Sequence, residues 1–239
     1  MTVQGKVYLI GAGPGAADLI TVRGARLLAQ ADVVLYDALV TPEMLALCPQ
    51  AQLISVGKRS GQRSTAQTLI NQQLVESAQH HRTVVRLKGG DPMLFGRADE
   101  ELRALEAEGI EVEVVPGITT ALAAAAASKQ PLTRRGVARS VAFFTSSTAP
   151  DEPQHPALPA TDTLVQYMGG REAIATATRL LAEGRRPDLP VVVIENCSRA
   201  DQRIARLTLS DLADGLEAAH GPVLVMIGEA LQQRLHQPS

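Results

Sequence analysis

Two glycine-rich turns could bring backbone against a ligand in this sequence: Gly11-Ala12-Gly13-Pro14-Gly15 and Gly89-Gly90-Asp91-Pro92. Each directly follows a short aliphatic run. Glycine lets a main chain approach a bound group closely, and a helix opening after the turn favours anions. The first turn invites a dinucleotide reading that its spacing opposes. GxGPG is not GxGxxG, Pro14 lacks an amide donor, and Asp32, at the start of the second strand, is poorly placed to hold a ribose. A tight strand-to-helix turn without a ligand is the alternative. In the second turn Asp91 can accept from a ribose hydroxyl or an amine, and Pro92 can open a helix. Its alternative is a structural turn with a helix cap.

Asp37 ends another aliphatic run, and Gly57-Lys58-Arg59 ends a third. A carboxylate and an ammonium at one sheet edge can move protons, or can simply pair with each other. None of the five histidines falls in such a motif, so acid–base work would rest on Asp, Lys or Arg. Basic residues gather as Lys58, Arg59 and Arg63 and as Arg134, Arg135 and Arg139, with Arg97 between them in Leu94-Phe95-Gly96-Arg97. Guanidinium forks suit carboxylates and phosphates, so these arginines fit a polyanionic substrate; a solvated surface is the alternative. Cys48 and Cys197 read as small buried residues and Met168, on spacing, as core.

The elements that must position these residues are short and alternate in type. Val7–Ile10, Val33–Tyr36, Leu53–Val56, Val84–Leu87 and Val112–Val115 read as strands, with helices over Thr21–Ala31 and Thr65–Gln79 between them. Near-continuous apolar strands separated by helices imply a mostly parallel sheet covered on both faces. Pro116-Gly117 interrupts the pattern, and an alanine-rich helix follows over Thr119–Lys129. A second set has strands at Ser140–Thr145, Thr163–Tyr167, Pro190–Glu195 and Pro222–Ile227 and a helix at Glu172–Glu183. Pro150, Pro153, Pro156 and Pro159 mark an exposed loop inside it. The expectation is two α/β domains, 1–116 and 117–239, with mostly parallel or mixed sheets.

Composition narrows the function classes. The chain has 239 residues, 45% hydrophobic and 20% charged, which excludes wholesale disorder. With 23 Lys+Arg against 25 Asp+Glu, the formal charge is −2, which argues against a general nucleic-acid binder. Aromatic residues are 3% and Trp is absent, so a stacking platform for single strands is not expected. The two distant cysteines suggest neither a disulfide framework nor a metal site, and fit a reducing cytoplasm. No stretch is long and apolar enough for a bilayer, and no signal peptide is read at the start; a soluble cytoplasmic protein without a membrane partner is expected.

GAGPG, YD, VGKR, VVRLKGGDP, FGR, VVPGIT, PLT, YMG, a VxxxEN segment and a late GP occur in this order from about Gly5 to Gly228. Taken together they resemble the S-adenosylmethionine (SAM)-dependent tetrapyrrole methylases. VGKR, LKGGDP and YMG point to the uroporphyrinogen-III C-methyltransferase branch, also found as the methylase half of sirohaem synthase. The resemblance implies two α/β domains with SAM in the cleft between them, a homodimer, and S-adenosylhomocysteine as product. Carried across by motif, SAM contacts would be Pro14, Gly89, Gly90, Asp91, Leu94, Thr119, Thr120, Met168, Cys197 and Pro222. Asp37 and Lys58 match the proton acceptor and donor, and Arg97 an arginine set against the tetrapyrrole.

The implied substrate, uroporphyrinogen III, carries eight carboxylates, which gives Arg59, Arg63, Arg134, Arg135 and Arg139 a role. Methylation at C2 and C7 would yield precorrin-2. Other readings are a methylase for another porphyrinoid or corrinoid precursor, a non-catalytic SAM- or tetrapyrrole-binding paralogue, and a nicotinamide oxidoreductase. The chain departs from the family pattern in places. It reads Ser128-Lys129-Gln130-Pro131-Leu132-Thr133-Arg134-Arg135 around PLT, Thr145-Ser146-Ser147 for the usual TGH, and Ala98-Asp99 after Arg97. Thr120 and Cys197 stand where smaller residues are usual.

Overall fold

A computed structural model describes residues 5–57, 67–147 and 157–232. The chain divides into two compact units, Met1–Thr120 and Ala121–Ser239.

The first unit is a parallel sheet of β1 (Lys6–Gly11), β2 (Val33–Tyr36), β3 (Gln52–Ser55), β4 (Thr83–Lys88) and β5 (Val112–Val115), in the order β3-β2-β4-β1-β5. Its helices are α1 (Val22–Leu28), α2 (Pro42–Leu45), α3 (Gln67–His80) and α4 (Ala98–Ala107). The period-two alternation of the strands feeds two cores. Val7, Leu9, Val33, Leu35 and Val84 meet Ile70, Leu74 and Leu105 on one face. Ile10, Val34, Val85 and Leu87 meet Leu28, Met44 and Cys48 on the other. A sheet buried on both faces favours aliphatic strands, as β1 and β2 are; β4 adds Arg86 and Lys88, and the marginal β3 and β5 are only partly covered. Turn chemistry sets the helix starts: the Thr21 hydroxyl accepts from Gly24 N–H at 3.1 Å, capping α1. At the amino edge, Asp32 takes the amides of Arg82 and Thr83 at 3.0 and 2.8 Å. That carboxylate ties two strands together, consistent with its poor placement for a ribose.

The second unit begins with α5 (Thr120–Ser128) and builds a mixed sheet from β6 (Val141–Thr145), β7 (Thr163–Tyr167), β8 (Pro190–Glu195), β9 (Arg203–Thr208) and β10 (Val223–Ile227). Its order is β6-β7-β10-β8-β9, and only β6–β7 is parallel. Helices α6 (Gly169–Ala182) and α7 (Leu209–Asp214) cover one face through Ala173, Ala177, Leu180, Leu209 and Leu212 against Val191, Val193, Val223 and Val225. Thr208 and Asp211 form a capping box at α7. The sequence reading assigns no strand to 203–208. The strand is real but lies at the sheet margin with no fully buried residue, so it lacks the apolar run that marks its neighbours. The proline-rich loop read from the sequence falls largely outside the described residues, Pro159 excepted.

Among the described residues, no helix is long and apolar enough to cross a membrane. Asp162 joins β6 to β7 by accepting the amides of Arg139 and Ser140 and the Ser140 hydroxyl at 2.9, 3.0 and 2.7 Å. The Ser140 hydroxyl first, then the two amides, hold its carboxyl below the ordinary value. A carboxylate so held stabilises the fold above the usual carboxylate range and loses that contribution as pH falls through its folded value. Asp162→Ala is therefore expected to lower the urea midpoint at pH 7, with the deficit shrinking towards pH 3.

Candidate active site

In a parallel sheet every strand delivers its following loop to the same edge. In the first unit that edge receives Gly11–Gly15 after β1, Asp37–Leu39 after β2, Gly89–Arg97 after β4 and Pro116–Thr119 after β5. The loops are bonded to one another. Gly13 and Gly90 exchange two amide–carbonyl bonds, at 3.1 and 2.7 Å, and Ala12 N–H donates to the Lys88 carbonyl at 2.7 Å. Asp37 accepts Leu39 N–H at 2.9 Å on one oxygen and Gly89 N–H at 3.0 Å on the other. Asp91 accepts Met93 N–H and Gly117 N–H, both at 2.9 Å. Both carboxylates therefore splice one loop to another, and each oxygen keeps a further lone pair for a ligand.

Gly117 is hemmed in: a Cβ there would run into the Gly90 carbonyl oxygen and the Gly11 main chain. Gly90 is the opposite case. Its φ is +69°, a left-handed value that favours glycine, and a Cβ there would meet nothing within 4 Å. The backbone is thus open on the side where a side chain would stand. The GAGPG turn is less open, since a Cβ at Gly13 would lie 3.2 Å from the Leu19 carbonyl oxygen.

After Gly90 the chain makes two further left-handed turns, at Phe95 (φ 52°) and Arg97 (φ 54°). Arg97 precedes α4 and forms a two-point fork with Glu100, Nε to Oε1 at 2.7 Å and Nη2 to Oε2 at 2.8 Å. The Glu100 hydrogen bonds raise its pKa further. The guanidinium is a fixed cation, suited to orienting an anion rather than accepting a proton.

Beneath this loop lies a charged cluster that the sequence reading does not single out. Arg86 and Lys88 are buried on β4, and one carboxylate, Glu101 of α4, answers both at 2.9 and 2.7 Å. Its signal was available: two cations at i and i+2 in VVRLK share one face of a buried strand, which requires a buried anion.

In the second unit, β6, β7 and β8 end at one edge and the antiparallel β10 begins there. This gathers Thr145–Ser147, Met168, Asn196–Ser198 and Pro222. Met168 is 52% exposed with φ 55° at the start of α6. The sequence reading of Met168 as core on spacing is thereby corrected. A left-handed residue between strand and helix belongs to neither period, so spacing does not apply to it.

Cys197 is buried between two left-handed residues, Asn196 and Ser198, and burial pushes its thiol up to about 11. Asn196 N–H donates to the Pro222 carbonyl at 3.0 Å, joining these two loops. Ser146 accepts from the Gln166 side-chain amide at 3.0 Å, and Thr176 accepts from the same amide at 2.9 Å. The departure at Thr145-Ser146-Ser147 thus has a local structural use.

Pro14, Asp37, Gly89, Gly90, Asp91, Leu94, Arg97 and Thr119 accordingly belong to the loop edge of the first unit, with Thr120 opening α5. Met168, Cys197 and Pro222 share the edge of the second. Arg139 does not join that edge; it precedes β6 at the opposite end, its amide on Asp162. Arg134 and Arg135 are exposed in the turn before it, where Arg134 and Ala138 exchange backbone bonds at 2.9 and 2.8 Å. Lys58, Arg59 and Arg63 lie outside the described residues. Among the described residues no group of His, Cys, Asp and Glu could hold a metal ion.

The profile of the tetrapyrrole (corrin/porphyrin) methylases matches residues 6–213. A siroheme synthase of Tolumonas auensis is 48% identical over 94% of this chain, which spans 49% of that protein. The chain thus covers about half the length of that relative. A uroporphyrinogen-III C-methyltransferase of Pseudomonas aeruginosa is 44% identical over 99% of this chain and 98% of its own. Among solved structures, the uroporphyrin-III C-methyltransferase of Thermus thermophilus complexed with S-adenyl homocysteine has a TM-score of 0.83 at 39% identity, covering 95% of this chain and 94% of that one.

Gly117→Ala is expected to destabilise the chain by about 3 kcal/mol, because main chain on both sides must move. Gly136→Ala, left-handed but facing open space, should cost only about 1 kcal/mol. Urea unfolding of the two variants in parallel checks the difference.

Proposed function

Since the chain belongs to the tetrapyrrole (corrin/porphyrin) methylase family, we propose that it is a SAM-dependent C-methyltransferase converting uroporphyrinogen III to precorrin-2 by methylation at C2 and C7. The observation that carries the reading is the open, left-handed backbone of Gly90 at a loop edge otherwise sealed by its own hydrogen bonds. A small molecule with polar edges can lie against main chain there, and the residues present fit a nucleoside-bearing cofactor. The Pseudomonas aeruginosa relative, matched over nearly its whole length, supports the substrate, and the Thermus thermophilus complex supports the cofactor.

When bound, SAM supplies an electrophilic methyl group on a sulfonium, so the protein's task is mainly alignment of an electron-rich pyrrole carbon. In the first unit Pro14, Gly89, Gly90, Asp91, Leu94, Thr119 and Thr120 hold the cofactor; in the second, Met168, Cys197 and Pro222 do so. Residues 1–116 carry the tetrapyrrole side and the proton-transfer groups. Arg97, kept cationic by Glu100, orients a substrate carboxylate. Asp37 takes the proton released when the methylated ring returns to neutrality, and Lys58 serves as donor. Arg59 and Arg63, with the exposed Arg134 and Arg135, answer the remaining carboxylates; Arg139, at the opposite end of its sheet, is not among them. The reading includes a homodimer working in the cytoplasm.

Anaerobic incubation with SAM and uroporphyrinogen III, followed by mass analysis of the tetrapyrrole, tests this. A gain of two methyl groups is expected. No gain, with S-adenosylhomocysteine still bound, would replace the reading by another porphyrinoid substrate or a binding-only role. Gly90→Ala separates cradle from fold: the left-handed alanine should cost about 1 kcal/mol of stability. Its methyl group should lower S-adenosylhomocysteine affinity by at least about tenfold in calorimetry.

A further inference from the structure

Lys88 ends a strand whose side chains are otherwise aliphatic apart from Thr83 and Arg86, and it is 3% exposed. A buried ammonium is costly unless paired, and a well-packed apolar side chain of similar volume often serves a fold as well or better. Its partners show what the ammonium does there. Nζ donates to Glu101 Oε2 at 2.7 Å and to the Gly96 carbonyl at 2.5 Å. Glu101 is shared with Arg86, which also donates to the Leu87 carbonyl at 3.1 Å, so the carboxylate is retained by either cation. The Gly96 bond is the contact particular to Lys88.

Gly96 sits between the two left-handed residues Phe95 and Arg97. Its own α-carbon is closely packed: a Cβ would lie 2.7 Å from the Pro92 carbonyl oxygen and 3.1 Å from Lys88 Cε. The loop therefore folds over the lysine. Non-glycine residues hold left-handed backbone only where surrounding contacts over-determine it. Burial and neighbouring Arg86 push the Lys88 pKa down, while Glu101 and Asp37 oppose that shift.

We propose that Lys88 is a positioning residue whose ammonium pins the Gly96 carbonyl, fixes the Phe95–Arg97 turn and so sets where the Arg97–Glu100 fork meets the substrate. The turnover part rests on the methyltransferase reading; the loop part stands without it.

The test compares the wild-type chain with Lys88→Met by amide hydrogen exchange, S-adenosylhomocysteine calorimetry and turnover. Exchange at the Phe95, Gly96 and Arg97 amides is expected to rise at least about tenfold, with the Asp91 and Leu94 amides and the β1 and β2 strands unchanged. The kcat for methylation should fall at least about tenfold while S-adenosylhomocysteine affinity stays within about threefold. Unchanged loop exchange, a uniform rise across the unit, unchanged kcat, or affinity lost in step with kcat would each overturn the proposal. If Lys88→Met does not fold, Lys88→Gln takes its place. Failure of both to fold would make the ammonium a requirement of the fold and also overturn it. A wild-type chain without methylation of uroporphyrinogen III refutes the functional reading, and loop exchange alone then decides whether Lys88 sets the turn.

Discussion

The paired bonds between Gly13 and Gly90 are the constraint on which the rest of the first unit's loop edge depends. They join the turn after β1 to the turn after β4 beyond the point where the sheet ends. Once they form, Gly117 must pass close to both, and Asp91 can reach its amide. Asp37 closes the other side by taking the Gly89 amide. A backbone pair thus fixes three loops, and side-chain carboxylates seal what it leaves open. Unpaired amides at strand ends need acceptors, and a carboxylate with two oxygens can serve two loops at once.

The two units reach a functional edge by different routes. In the first, all strands point the same way, and loops collect at their carboxyl ends. In the second, β10 runs against β7 and β8, so its entrance joins their exits. Pro222 and Cys197 share an edge for that reason. Arg139 lies at the far end because it precedes rather than follows its strand.

The inner strands were legible from sequence because burial forces near-continuous apolar runs; Val33–Tyr36, Thr163–Tyr167 and Pro190–Glu195 agree with the structure in both bounds, as does Val112–Val115, a marginal strand that happens to keep three valines. Arg203–Thr208 was not legible, since a marginal strand needs no such run. The glycine turns were legible as turns. Which glycine faces open space depends on neighbouring loops distant in sequence, which no local pattern encodes. Met168 illustrates the same limit: its exposure follows from a left-handed junction, and residue type does not announce one. The Arg86–Lys88–Glu101 cluster lay between these cases, its cations adjacent on a strand and its anion on a later helix.

Cys48 and Cys197 sit in separate units, both buried and both with thiols raised by burial. Thiolate, not thiol, reacts with alkylating reagents, so neither is reactive while its own unit stays closed. Each unit consequently carries a built-in clock. The rate at which either thiol becomes labelled in native buffer reports the opening of that unit alone, and a ligand that clamps one unit would slow one clock and leave the other running.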